Sequence, residues 1–107
     1  MKNTLLALLI LASTLAYGQT YYAVQVMSTE NPHLIKPEMV VTDSTDVPYV
    51  DLVVNKDKMM SRILYIFETK QEQIINHTEW LKMYPDAIVY TIDEKRFKSL
   101  RKLFDNI

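Results

Sequence analysis

Histidine is the side chain best suited to proton transfer or metal ligation near neutral pH, and this chain has two, His33 and His77. They lie far apart in sequence, and neither has a carboxylate at a metal-ligand spacing. Surface or capping roles are expected for both, and no metal site. Asp43, Asp46 and Asp51 form a loose acidic group without the glycine and terminal glutamate of a calcium loop, so solvated carboxylates are expected. Asn76-His77-Thr78 spells a glycosylation sequon, but on a segment with helical periodicity. Trp80 offers an aromatic plane, either to a ligand or for packing partly under the C-terminal segment. No serine, histidine and carboxylate fall into a catalytic arrangement, so neither enzymatic activity nor a cofactor is expected. The single glycine, Gly18, leaves phosphate-cradling loops without the residues that build them.

With no reactive centre in view, the chemistry left is that of a binding surface. Lys2, an unbroken aliphatic run over residues 5–11 and the small residues Ala16 and Gly18 flanking Tyr17 together read as a signal peptide over residues 1–18. The apolar run is short of the roughly 20 residues a membrane span requires. The chain contains no cysteine, which removes disulfides and cysteine lipidation and suits a bacterial cell envelope. Residues 19–107 are then one domain, with eleven Lys and Arg against thirteen Asp and Glu once Lys2 is set aside. That balance gives no drive toward nucleic acid, although five of the basic residues crowd positions 95–102.

Residues 21–27 (YYAVQVM) are aromatic and β-branched and predict a first strand, with Tyr22, Val24 and Val26 on one face and Tyr21, Ala23, Gln25 and Met27 on the other. Asn31-Pro32 can open a short helix toward Met39, bent or ended by Pro37. A polar loop follows over residues 42–46, then a strand over 47–54 and a turn at Asn55-Lys56-Asp57-Lys58. Residues 62–67 (RILYIF) are apolar on both faces apart from Arg62, as expected of a central strand. Thr69 and Glu72 make a capping-box pattern for a helix over residues 69–84. Its buried side is expected at Ile74, Thr78, Leu81 and Tyr84 with Ile75 alongside, and Gln73 is expected to face out. Pro85 stops it, residues 87–92 (AIVYTI) form a fourth strand, and Asp93 caps a last helix with Phe97, Leu100, Leu103 and Phe104 along one side.

Two strand–helix–strand units close most simply into an α+β, ferredoxin-like (βαββαβ) sandwich: a four-stranded antiparallel sheet, helices on one face and an appended C-terminal helix. One sheet face stays open unless that last helix covers it.

The spacing of Tyr22, Gln25 and Ser28 in YAVQVMS resembles the first strand of sporulation-related repeat (SPOR) domains. The segment RILYIFETKQEQIINHTEWLKMYPDAIVYTI resembles the family's second half: an arginine-led strand ending in phenylalanine, a threonine cap, a helix, and an Asp-Ala pair entering the last strand. Met27 stands where the family carries glycine, and the glycine-proline before the phenylalanine is absent. The resemblance implies an exported, non-catalytic module of the periplasm or cell exterior that binds peptidoglycan glycan strands, with Gln25, Ser28 and Arg62 carried over as binding residues. Tyr21, beside Gln25 on the same strand face, adds an aromatic plane for sugar rings. The other reading is a small exported interaction module, an adaptor or inhibitor, which binds an envelope protein through a sheet edge or the basic C-terminal segment.

Overall fold

The computed structural model describes residues 18–105; the expected signal segment, residues 1–18, lies outside them apart from Gly18. Five strands form one sheet: β1 (Thr20–Thr29), β2 (Tyr49–Asn55), β3 (Lys58–Phe67), β4 (Ile88–Asp93) and β5 (Arg101–Lys102). Their spatial order is β4-β1-β3-β2-β5, and every neighbouring pair is antiparallel. The protein is therefore α+β, with one strand more than the expected four. β1 and β3 lie inside the sheet and carry its buried apolar residues, Ala23, Val24, Val26, Ile63, Leu64 and Tyr65, on both faces.

Three helices accompany the sheet: α1 (Pro37–Val40), α2 (Lys70–Leu81) and α3 (Glu94–Ser99). Pro37 ends one short piece and begins another: Pro32–Leu34 is a 3₁₀ turn, Lys36 is extended, and α1 starts on the proline itself. Thr69 caps α2 by accepting from the Glu72 backbone N–H at 3.2 Å, and Thr69 and Glu72 side chains meet at 2.9 Å.

The core lies between the sheet and the α1/α2 layer, built from Val24, Val26, Ile63 and Tyr65 of the strands with Val40 and Trp80 of the helices. Trp80 stacks on Tyr65 with ring centroids 4.6 Å apart and planes 14° from parallel. Here the expected phase of α2 is corrected. Gln73 and Trp80 are its buried residues, whereas Ile74 and Ile75 are 55% and 57% exposed. An indole buries more apolar surface than any other side chain, and turning Trp80 onto Tyr65 rotates Ile74 away by roughly a third of a turn. The amide of Gln73 is tolerated inside because its Nε2 donates to the carbonyls of Ala23 (2.9 Å) and Tyr90 (3.1 Å). Trp80 accordingly packs in the core between α2 and the sheet, the same cluster that Leu103 and Phe104 of the C-terminal segment pack against.

The C-terminal segment is corrected as well. Its helix stops at Ser99, whose hydroxyl donates to the Arg96 carbonyl, and Leu100 is already extended. Arg101 and Lys102 then pair with Val50 and Tyr49 as β5, and the Leu103 N–H donates to the Pro48 carbonyl at 3.0 Å. A continued helix would hold Phe97, Leu103 and Phe104 on one side of the sheet. The extended crossing lets the chain pass around the β2 edge, so that Phe97 packs on one face while Leu103 and Phe104 reach the core on the other.

Candidate functional site

The sequence-derived binding residues are positioned by an irregularity in β1. Strict alternation would set Gln25 and Ser28 on opposite faces. The pairing with β3 slips between Gln25 and Met27: Gln25 lies opposite Leu64, Met27 opposite Ile63 and Ser28 opposite Arg62. This β-bulge turns both Val26 and Met27 toward the core and returns Ser28 to the face of Gln25. Met27 was expected on the Gln25 face and is not there. Tyr21, Gln25, Ser28 and Arg62 thus share the face of the sheet opposite α1 and α2.

α3 crosses that face. Phe97 stacks on Tyr21 at 4.2 Å and 15° and tilts against Tyr49 at 6.1 Å. Arg96 forks onto Asp51, with Nη2 2.7 Å from Oδ1 and Nε donating to Oδ2 at 3.1 Å. The Asp51 side chain is only 7% exposed while that of Arg96 is 43% exposed, so the carboxylate is held out of water by a bidentate, charge-assisted contact to a guanidinium that still meets solvent. Ala23 and Leu64, on the same face, are fully excluded from solvent. Asp93 fixes the start of α3 by accepting from the Arg96 N–H at 2.8 Å.

The Gln25 end of the face is less covered. Gln25 Oε1 accepts from the Tyr90 hydroxyl at 2.9 Å. Burial raises the pKa of that hydroxyl, with Asp51 adding to the rise and Arg62 and Arg96 opposing it. Tyr90 therefore remains a protonated donor at neutral pH. β4 begins at Ile88, opposite Gln25, so among the described residues the rest of β1 runs on without a strand on that side. A cleft of about 400 Å³ opens there, lined by residues 25–28 with Tyr84 and Asp86. The hydroxyls of Ser28 and Tyr84, the amide of Gln25 and the carboxylate of Asp86 around it can donate to and accept from a polar ligand.

The remaining candidates have structural partners. His77 Nε2 lies 2.9 Å from the Ala87 carbonyl and ties α2 to the entry of β4. Asn76 Nδ2 donates to the Glu72 carbonyl at 2.8 Å. The acidic group does not converge: Asp46 accepts from Thr42 and Asp43 and so closes its own loop, while Asp51 is paired with Arg96. His33 is exposed on the 3₁₀ turn. Among the described residues no three His, Asp or Glu side chains are grouped to hold a metal ion, and no helix is long and apolar enough to cross a membrane. Sequence reasoning missed Asp51 with Arg96, and Tyr90 with Gln25. Each pair is 45 residues or more apart in the chain, so no local pattern announces it.

In comparison with known proteins, the chain matches no protein-family model, no curated protein and no solved structure.

Proposed function

We propose that this protein is an exported, non-catalytic SPOR-like module of the bacterial cell envelope that binds glycan strands of peptidoglycan. The observation that carries the reading is the β1 bulge, which gathers Gln25, Ser28 and Arg62 on one sheet face beside an open cleft. The finer fold assignment belongs to the same reading. The order β4-β1-β3-β2, with α1 between β1 and β2 and α2 between β3 and β4, supports a ferredoxin-like βαββαβ core with β5 added at its edge.

Glycan hydroxyl and acetamido groups match the amide of Gln25, the hydroxyl of Ser28 and the guanidinium of Arg62. Three or four such contacts at about 1 kcal/mol each give millimolar affinity for a short saccharide, so binding is to be sought on the polymer, where repeated sites act together. Tyr21 is engaged by Phe97, and its ring flanks the polar site beneath α3.

The test is co-sedimentation of the chain from Gln19 onward with sacculi whose stem peptides have been removed by amidase. Pelleting is expected, weakened in a Gln25→Ala/Arg62→Ala double variant that keeps its circular dichroism spectrum. Absence of pelleting under every sacculus treatment overturns the reading. The second reading, an exported module that binds an envelope protein, is favoured by one observation of its own: α3 already occupies the Tyr21–Tyr49 part of the face. Recovery of one stoichiometric protein partner from envelope extracts, independent of glycan, would select it.

A further inference from the structure

The two edges of the sheet are built differently. The β5 edge is two residues long and both are basic, Arg101 and Lys102, a combination that discourages a further strand. The β4 edge is six residues long, and its pairing with β1 runs without a break from Ile88 opposite Gln25 to Asp93 opposite Thr20. Residues 88–92 contain no charge, no proline and no bulge. Among the described residues no strand lies along the outer side of β4. Ile88 and Val89, on opposite faces, are 50% and 43% exposed, so neither α2 nor α3 overhangs the strand. Its outward backbone N–H and C=O groups form a row that another extended chain can complete.

We propose that the β4 edge is a docking site for an extended segment of a partner protein, about five or six uncharged residues followed by lysine or arginine, added antiparallel to β4. The charge pattern selects this occupant. At the far end of the strand Asp93 caps α3 and Glu94 lies 3.6 Å from Lys98. Asp86, just before the strand, is exposed and makes no hydrogen bond or ion pair among the described residues. In an antiparallel addition the residues that follow the partner strand arrive beside Ile88 and Asp86, which places a basic residue there. The same charges disfavour a second copy of this chain. The two-fold register that matches Ile88 with Ile92 and Val89 with Thr91 is centred on Tyr90, and it brings Asp86 of each copy toward Glu94 of the other. The proposal does not require glycan binding on the Gln25 face, although Asp86 also lines the cleft beside Gln25.

The experiment titrates the full chain with two fluorescent, N-acetylated octapeptides, each of six alternating valine and threonine residues, one followed by Lys-Lys and one by Glu-Glu. Binding is read by anisotropy, and the site by hydrogen exchange. The lysine-ended peptide is expected to bind about tenfold or more tighter in low salt, with the gap narrowing as salt is added. Asp86→Asn should remove the preference and keep the binding, Val89→Lys should weaken both peptides, and slowed exchange should appear in β4. No binding of the lysine-ended peptide, equal binding of the two, or protection in β2 or β5 instead would overturn the proposal. So would self-association in sedimentation that Val89→Lys abolishes, since a second copy would then hold the edge.

Discussion

The two faces of the sheet are covered by different means. On one, α1 and α2 lay down a dry apolar layer in which Val40, Ile63 and Val24 are fully buried and Trp80 stacks on Tyr65. On the other, a helix of six residues is held by Phe97 against Tyr21 and Tyr49 and by one ion pair, over a face that retains Gln25, Tyr90, Arg62 and Asp51. The first covering supplies stability through area removed from water. The second gains little area and relies on directed contacts, so it keeps polar groups in place that a hydrophobic cover would exclude. The binding proposed above is assigned to the second face for that reason.

The sharpest way to break the contrast is to remove the anchor of each face in turn. Trp80→Ala should cost about 3–5 kcal/mol in urea or guanidinium denaturation, a large share of the stability of a domain this size. Arg96→Ala should cost about 2–3 kcal/mol, because it strands the Asp51 carboxylate in a site 7% exposed. An Arg96→Ala/Asp51→Leu double variant should recover most of that loss, which would show that the penalty is the unpaired charge. Phe97→Ala should cost about 1–2 kcal/mol, since the ring is half-buried and its stack on Tyr21 is one contact pair. If Phe97→Ala proved as damaging as Trp80→Ala, the contrast between the two faces would fail.

Alkaline pH separates the faces by another route. Tyr65 in the core is pushed far above the ordinary tyrosine range, first by burial and then by Asp46 and Tyr84, whereas the rise at Tyr90 is partly offset by Arg62 and Arg96. Raised folded-state values mean that the folded protein holds protons the unfolded chain releases near pH 10, so stability is intact below about pH 10 and falls as pH rises beyond it. Equilibrium denaturation between pH 8 and 11 should show that fall, and Tyr65→Phe should flatten it more than Tyr90→Phe does. The smallest effect, of opposite sign, lies away from both faces. Lys56 and Asp57 turn the β2–β3 hairpin with φ of 50° and 68°, a left-handed conformation that favours glycine. Asp57→Gly should raise stability by about 0.5–1 kcal/mol while leaving either face unchanged, measurable as a higher melting temperature.

Much of the architecture was legible in the chain because its signals are local. Thr69 and Glu72 announced the start of α2, Pro85 its limit, and the two-sided apolar run of β3 its interior place. The readings that failed depended on partners distant in sequence. Ile74 and Ile75 look like a buried pair until Trp80 finds Tyr65, and Gln73 looks solvated until the carbonyls of Ala23 and Tyr90 are set above it. The side chains at 97, 103 and 104 follow a helical period that the chain abandons at Leu100 because the sheet has an apolar face to fill on either side. At the candidate site, Gln25, Ser28 and Arg62 could be picked out by type and spacing, but their common face depends on the bulge, which no residue between 25 and 27 advertises.

The amino-acid sequence by itself determined four of the strands, the α2 cap, the turn at Lys56-Asp57 and the lack of glycines and cysteines from which phosphate loops or disulfides are built, all of which follow from propensity, periodicity and composition within a few residues. Tertiary structure alone decided the fifth strand, the phase of α2, the face to which Ser28 belongs and the covering of Tyr21 by Phe97. Those outcomes are set by which buried surfaces and paired charges can be satisfied together, and that competition is settled only when segments far apart in the chain are brought side by side.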